Sequence, residues 1–137
     1  MTPSALYGIL RLRSDVFVVE QQCVFLDLDN LDQQAYHLEG KINDELVASA
    51  RILPPGTPYQ EPSIGRVVAS PAWRRKGAGM ALMQKAIEET LRLHGKVAIK
   101  IGAQLYLKAF YEKHGFVQSS DVYMEDAIPH IKMTRTP

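Results

Sequence analysis

The run VVASPAWRRKGAG (residues 67–79) is the strongest chemical signal in the chain. In it Arg74-x-x-Gly77-x-Gly79 follows a β-branched stretch that Pro71 breaks. Backbone N–H groups at a helix start have no intrahelical acceptor, and the helix dipole adds about half a positive charge there. Glycines let a bulky anion approach the main chain. Arg74, Arg75 and Lys76 add side-chain charge, so the run reads as an anion site. It has neither the GxxxxGK[ST] spacing of a nucleotide P-loop nor the GxGxxG fingerprint of a dinucleotide fold. A solvated basic turn capping a helix would use the same letters, and spacing alone leaves both readings open.

A second cluster, Phe110-Tyr111-x-x-x-Gly115-Phe116, lies one crossover later. Its phenol is either a proton donor or an aromatic packed on the inner face of the last helix. A third set comprises His37, Glu125, Asp126 and His130, which could take a proton from an acceptor or order a water that relays it. Each also fits a packed or solvated role. Nothing in the spacing of Glu20 or Cys23 demands chemistry, and Cys23 suits a small buried position better than a nucleophile. No His, Asp and Glu arrangement has metal-ligand spacing, so no metal is expected.

These residues need elements to hold them. Apolar spacing predicts a first helix over residues 4–19, with Ser4 as N-cap, then a polar loop over 27–33 with one helical turn. Strands at 35–39 and 46–53 form a hairpin around a turn at 40–45, and five prolines and glycines over 54–62 make a loop. A third strand covers 63–70. Leu82, Met83, Ala86, Ile87, Thr90 and Leu91 mark the best helix, 79–93, ended by Gly95. A strand at 96–101 and a helix at 104–114 with Gly115 as C′ residue follow. Short strands at 116–118 and 131–133 complete the order. This is one α/β (α+β) domain of three layers over residues 1–137, with hairpin pairing and β-α-β crossovers combined.

Sixteen basic against fifteen acidic residues leave a net charge of +1, which excludes a nucleic-acid binder that neutralises many phosphates. One cysteine excludes an internal disulfide. No apolar run approaches the roughly twenty residues of a membrane span, and residues 1–12 lack a secretory signal pattern. A cytoplasmic location, with no membrane or nucleic-acid partner, is the expectation.

The order of the two motifs resembles the GCN5-related N-acetyltransferase (GNAT) superfamily. The blocks LRLRSDVFVVEQQC (10–23), IGRVVAS (64–70), GAQLYLKAFYEKHGF (102–116) and YMEDAIPHIKM (123–133) are similar to its ElaA-like branch. The resemblance implies acetyl-coenzyme A as co-substrate and a central, mixed, mostly antiparallel sheet that splays at its site. It implies that Arg74, Arg75, Lys76, Gly77, Ala78 and Gly79 meet the pyrophosphate, largely through backbone N–H groups. It also implies that the main chain of Val67, Val68 and Ala69 pairs with the pantetheine arm, and that Gln104 stands where relatives carry an asparagine. Tyr111 would be the general acid at the leaving thiolate. His37, Glu125 and His130 are the candidate bases or acceptor contacts.

The implied reaction is direct acetyl transfer to a primary amine, on a small molecule or an exposed group, in a ternary complex. The alternative is a non-catalytic acetyl-coenzyme A sensor or interaction module, against which Tyr111 argues. The family fold normally opens with a strand beside the first hairpin, whereas here the helix at Ser4 follows Met1 almost at once. That strand is expected to be missing, leaving an edge that a second protomer could cover in a homodimer. Acceptor choice is expected to lie in the loops 26–34 and 54–62.

Overall fold

The computed structural model describes residues 1–21 and 27–137, so Cys23 lies outside the described residues. Helix α1 (Pro3–Arg13) starts one residue before the expected cap. Thr2, not Ser4, is the N-cap: its hydroxyl accepts from the Ala5 N–H at 3.1 Å, and Pro3 occupies the first helical position, where no donor is missed. The expected single helix to residue 19 stops at Arg13. Over Ser14–Glu20 the hydrogen bonding widens to a π-helix, as in Gln21 N–H to Val16 C=O at 3.2 Å. Val16, Val18 and Val19 fall here, and β-branched side chains weaken α-helical packing.

A 3₁₀ turn at Asp32–Gln34 leads into β1 (Tyr36–Ile42) and β2 (Glu45–Leu53). The expected six-residue turn contracts to two residues. Asn43 and Asp44 both take positive φ, 51° and 67°, which matches the right-handed twist of a hairpin and lets both strands lengthen. Strand β3 (Ser63–Ala69) pairs antiparallel with β2. After the single turn α2 (Pro71–Arg74) comes α3 (Ala78–His94), which buries Leu82, Met83, Ala86, Ile87 and Thr90 as its spacing predicts. Gly95 ends it in a conformation open to glycine, φ 82° and ψ −168°.

The second sheet holds β4 (Ile99–Gln104), β5 (Val117–Gln118), β6 (Tyr123–Glu125) and β7 (Ile128–Arg135), with β7 pairing antiparallel to all three others. Strand β4 runs three residues later than expected, ending at Gln104. The expected helix 104–114 shrinks to a 3₁₀ turn (Leu105–Leu107) and α4 (Lys108–Glu112), closed by Gly115 at φ 92°. Between the expected strands at 116–118 and 131–133 lie β6 and a two-residue turn at Asp126 and Ala127, both with positive φ.

Strand β2 is buried along nearly its whole length because both its faces are covered. Ala48, Ala50 and Ile52 join the core with α3, Ile99, Ile131 and Met133. Ser49 and Arg51 turn to the other side, where α1 lies. Three layers result, as expected. The two sheets touch where β3 and β4 begin, through Lys100 N–H to Pro62 C=O at 3.1 Å. No ladder joins β3 to β4 beyond that bond among the described residues, so the sheet is open at this seam.

Candidate functional site

A bulge interrupts the β2–β3 ladder on the strand that borders the seam. Ser49 pairs with Val68 and Arg51 with Gly65, so Ala50 faces two residues, Arg66 and Val67, and the ladder is interrupted there. Arg66 takes φ 48°, a conformation that costs a non-glycine residue about 1–3 kcal/mol and needs support from its surroundings. The support is ionic. Its guanidinium donates to Asp27 Oδ1 at 2.8 Å, to the Asp27 carbonyl at 2.9 Å and to Asp29 Oδ2 at 3.4 Å.

Those acids belong to a larger buried network. Arg13, only 1% exposed, donates to Asp27 Oδ2 at 3.0 Å and Asp32 Oδ1 at 2.9 Å, while Arg51 reaches Asp29 at 2.8 and 2.9 Å and Asp32 at 3.2 Å. Three arginines and three aspartates thus alternate with no net charge, the condition under which buried charges are tolerated. Burial alone would raise the carboxyl of Asp32, but the hydrogen bonds and charges of Arg13 and then Arg51 outweigh it and hold it below its ordinary value. Burial likewise opposes, and Arg51 and Arg66 overcome, at Asp29. Sequence reasoning took 27–33 for a polar loop with one helical turn and missed this network. The available signal was Arg13 and Arg51 at positions whose neighbours along helix and strand are apolar.

Beyond the bulge lies a cleft of about 460 Å³, walled by Val67 of β3, Gly102 and Gln104 of β4, Tyr111, and His130 and Lys132 of β7. Asp29, Leu31, Pro58 and Tyr59 from the two loops expected to select the acceptor also line it. Of the expected pantetheine stretch, Val67 faces the cleft, whereas Val68 and Ala69 put their side chains in the core.

The glycine-bearing turn opens helix α3, and Arg74 is committed within it. Gly77 is the N-cap of α3 at φ 82°, ψ 11°, and a Cβ built there meets no atom within 4 Å. The first ladder bond is Ala81 N–H to Gly77 C=O at 3.0 Å, so the N–H groups of Ala78, Gly79 and Met80 have no intrahelical partner. The first turn carries no acid to neutralise the dipole. Arg74 Nε donates to the Ala69 carbonyl at 3.0 Å and its terminal nitrogens grip both oxygens of Glu20, so this guanidinium is structural and also occupies one carbonyl of the expected pantetheine stretch. The hydrogen bond from Arg74 lowers Glu20, and burial only partly offsets it. Lys76 sits over the Trp73 ring at 4.6 Å, and Arg75 is exposed with no ion pair among the described residues.

Tyr111 is 8% exposed, edge-on to Phe110 at 5.1 Å and Phe116 at 6.1 Å, so both the packing and the cleft-facing readings of this residue hold. Desolvation, with a smaller contribution from Tyr106, pushes its phenol up to about 12, so it is neutral at physiological pH. Gln104 ends β4 at the cleft wall.

The base candidates separate. His37 does not reach the cleft: it lies in a different groove between β1 and α3, with Nε2 on the Asp32 carbonyl at 2.9 Å. The strand that carries it is on the far edge of the first sheet, away from the seam. Glu125, Asp126 and His130 do line the cleft. His130 Nδ1 lies 2.7 Å from the Ile128 carbonyl, and since a carbonyl only accepts, that nitrogen carries the proton. Nε2 is thus the nitrogen left to accept or carry a second proton, with Glu125 Oε2 at 3.6 Å. No group of three potential metal ligands occurs among the described residues, and no helix among them is long and apolar enough to cross a membrane.

Known proteins are similar to this chain over nearly its whole length. Protein ElaA of Escherichia coli is 42% identical over 137 residues, covering 98% of this chain and 90% of its own. Its crystal structure matches with a TM-score of 0.91 over 98% of this chain and 92% of that one. An acyl-CoA N-acyltransferase from Pseudomonas aeruginosa, 40% identical, matches at 0.93 over 99% and 93%. An aminoglycoside 6′-N-acetyltransferase complexed with coenzyme A, 17% identical, shares the fold at 0.73 over 98% and 92%. Residues 18–137 match the family described as Acetyltransferase (GNAT) domain. This chain belongs to the GNAT acetyltransferase family, in its ElaA-like branch.

Proposed function

We propose that the chain transfers an acetyl group from acetyl-coenzyme A directly to a primary amine. The observation that carries this reading is that Tyr111, held neutral, and His130, its proton fixed on Nδ1, line the same cleft at an open strand seam. The anion loop fits the co-substrate: its free N–H groups, the open space at Gly77 and the unpaired Arg75 would hold the pyrophosphate. Bound there, acetyl-coenzyme A supplies the thioester.

A primary amine with an ordinary pKa of about 10.4 arrives charged and must lose a proton before it attacks. His130 Nε2 takes that proton, and Glu125 at 3.6 Å stabilises the charged ring. A backbone N–H at the bulge, freed from its ladder, polarises the carbonyl oxygen. Tyr111 donates a hydrogen bond to the departing sulfur and stabilises the thiolate. The nitrogen–carbon bond forms as the carbon–sulfur bond breaks, the thiolate leaves, and the attacking nitrogen releases its second proton to solvent.

The test is thiol release from acetyl-coenzyme A with a panel of primary amines, using the wild type, Tyr111→Phe and His130→Gln. At least one amine should accelerate thiol release, and both variants should lose turnover while still binding coenzyme A. Coenzyme A binding with no amine turned over would replace the enzyme with a non-catalytic sensor.

A further inference from the structure

The far end of the cleft is built from side chains that the transfer chemistry does not use. On one face of the β4–β7 pair Lys100, Gly102 and Gln104 lie beside Thr134, Lys132 and His130, in register. Gly102 is bare for a reason: a Cβ there would stand 3.2 Å from the Tyr123 hydroxyl and 3.3 Å from the Tyr59 hydroxyl. Two phenols, one from the 54–62 loop and one from β6, therefore converge over the same backbone atom. Lys132 completes the corner. Its ammonium lies 4.7 Å from the Tyr123 ring centre and 5.2 Å from that of Tyr59, and donates to the Tyr59 oxygen at 3.5 Å. Lys100 approaches the other side of Tyr59, also at 5.2 Å.

Two features of this corner call for an anion. An ammonium only donates, so a phenol oxygen that receives its hydrogen must aim its own O–H elsewhere, and no protein acceptor meets the O–H of Tyr59 or Tyr123 among the described residues. No ion pair joins Lys132 or Lys100 to a carboxylate among them either, since Glu125 is placed on His130. A half-buried ammonium backed by aromatic faces and flanked by two unused O–H donors matches an acid whose two oxygens accept several hydrogen bonds.

We propose that this corner binds a carboxylate of the acceptor, so that the substrate class is amino acids and other amines that carry an acid group. This rests on the acetyltransferase reading above. The acceptor would lie along β7, amine toward His130 and carboxylate on Lys132, two residues further along the same strand face. Lys132, Tyr59 and Tyr123 are then specificity-determining residues, outside the reacting atoms.

The experiment compares matched pairs. Glycine, β-alanine and γ-aminobutyrate, each against its primary amide, are assayed by thiol release. In parallel the N-acetylated acids and their amides are titrated into the protein with coenzyme A, read through the ring resonances of Tyr59 and Tyr123. At least one acid should exceed its amide about tenfold or more in kcat/KM and in affinity, the scale of a charged hydrogen-bond set. The ratio should fall toward one in Lys132→Gln, and shrink in Tyr123→Phe, which keeps the ring and the fold. Acids and amides treated alike, or a preference that survives Lys132→Gln, overturns the carboxylate site even if amines are acetylated. Acid-selective binding without any turnover supports the site and removes the acetyltransferase reading.

Discussion

Gly77 and Gly95 bracket helix α3 and share φ 82° and open space at the missing Cβ, which makes them a matched pair for testing the anion loop. Alanine at either position forces a side chain into left-handed backbone. At Gly77, with ψ 11°, the cost is the roughly 1–2 kcal/mol of an ordinary left-handed residue. At Gly95, with ψ −168°, the region is nearly exclusive to glycine, and about 1–3 kcal/mol is expected. Stability therefore falls at least as far in Gly95→Ala. Coenzyme A affinity should follow the opposite order. Since a Cβ at Gly77 touches no protein atom within 4 Å, its steric effect falls on whatever approaches from outside. Displacing a pyrophosphate oxygen from one helix-start N–H loses a charge-assisted bond of about 1.5–3 kcal/mol, or roughly 10- to 150-fold in Kd. Chemical unfolding gives the first quantity and calorimetric titration with coenzyme A the second. Equal losses of affinity in the two variants, or wild-type affinity in Gly77→Ala, would refute the assignment of the loop.

Tyr111→Phe keeps both ring contacts, so its stability should stay within about 1 kcal/mol of wild type. Its turnover should drop about 10- to 150-fold, because a phenol near 12 hydrogen-bonds to a thiolate of pKa about 8.5 rather than fully protonating it. As the neutral form is the active one, this contribution should persist until pH rises toward 12, and a rate that falls with an apparent pKa below 10 through Tyr111 would contradict it. Arg75→Gln should weaken coenzyme A binding about two- to fivefold in a salt-sensitive way, and Arg74→Gln less so, because Arg74 is committed to Glu20 and Ala69; a larger effect at Arg74 would show that it changes partner on binding. Asp32→Asn should cost about 3 kcal/mol, the low end for breaking a buried pair, in urea unfolding at pH 7. Asp29 and Asp32 lie below their ordinary value of 3.8 in the folded state, so their stabilisation is complete above that pH and is lost as pH falls below it; Asp32→Asn should flatten that acid limb, and an unchanged limb would disprove the network's role.

Periodicity carried the parts of this fold that periodicity governs. The buried face of α3 is the one its apolar residues mark, because a helix spanning a sheet has only one way to hide them. Gly77, Gly95 and Gly115 all take the positive φ that their positions at helix ends suggested. What failed were features set by local backbone detail or by partners distant in sequence. Residues 14–20 and the turn at 43–44 depart from expectation through local backbone geometry that letter spacing does not encode. The carboxylates of 27–32 read as a polar loop because their arginines come from 13, 51 and 66, and letter spacing equally hides that Glu20, 54 residues earlier, pairs with Arg74. His37 and His130 were equal as letters; only the sheet order puts one at the seam and the other at the far edge.

The bulge in β3 is a difference in residue count: β2 spends one residue, Ala50, where β3 spends two, Arg66 and Val67. The bulge is therefore a matter of residue count at this point, and the Arg66 ion pairs hold the backbone it produces. Replacing the cleft's lining residues changes what it accepts and leaves it open, whereas deleting a single residue at 66 or 67 would let β3 run in continuous register with β2 and turn the remaining side chains to the opposite face. A deletion scan and a substitution scan of this strand should consequently give opposite pictures, with tolerance of most exchanges at Val67 and intolerance of its loss.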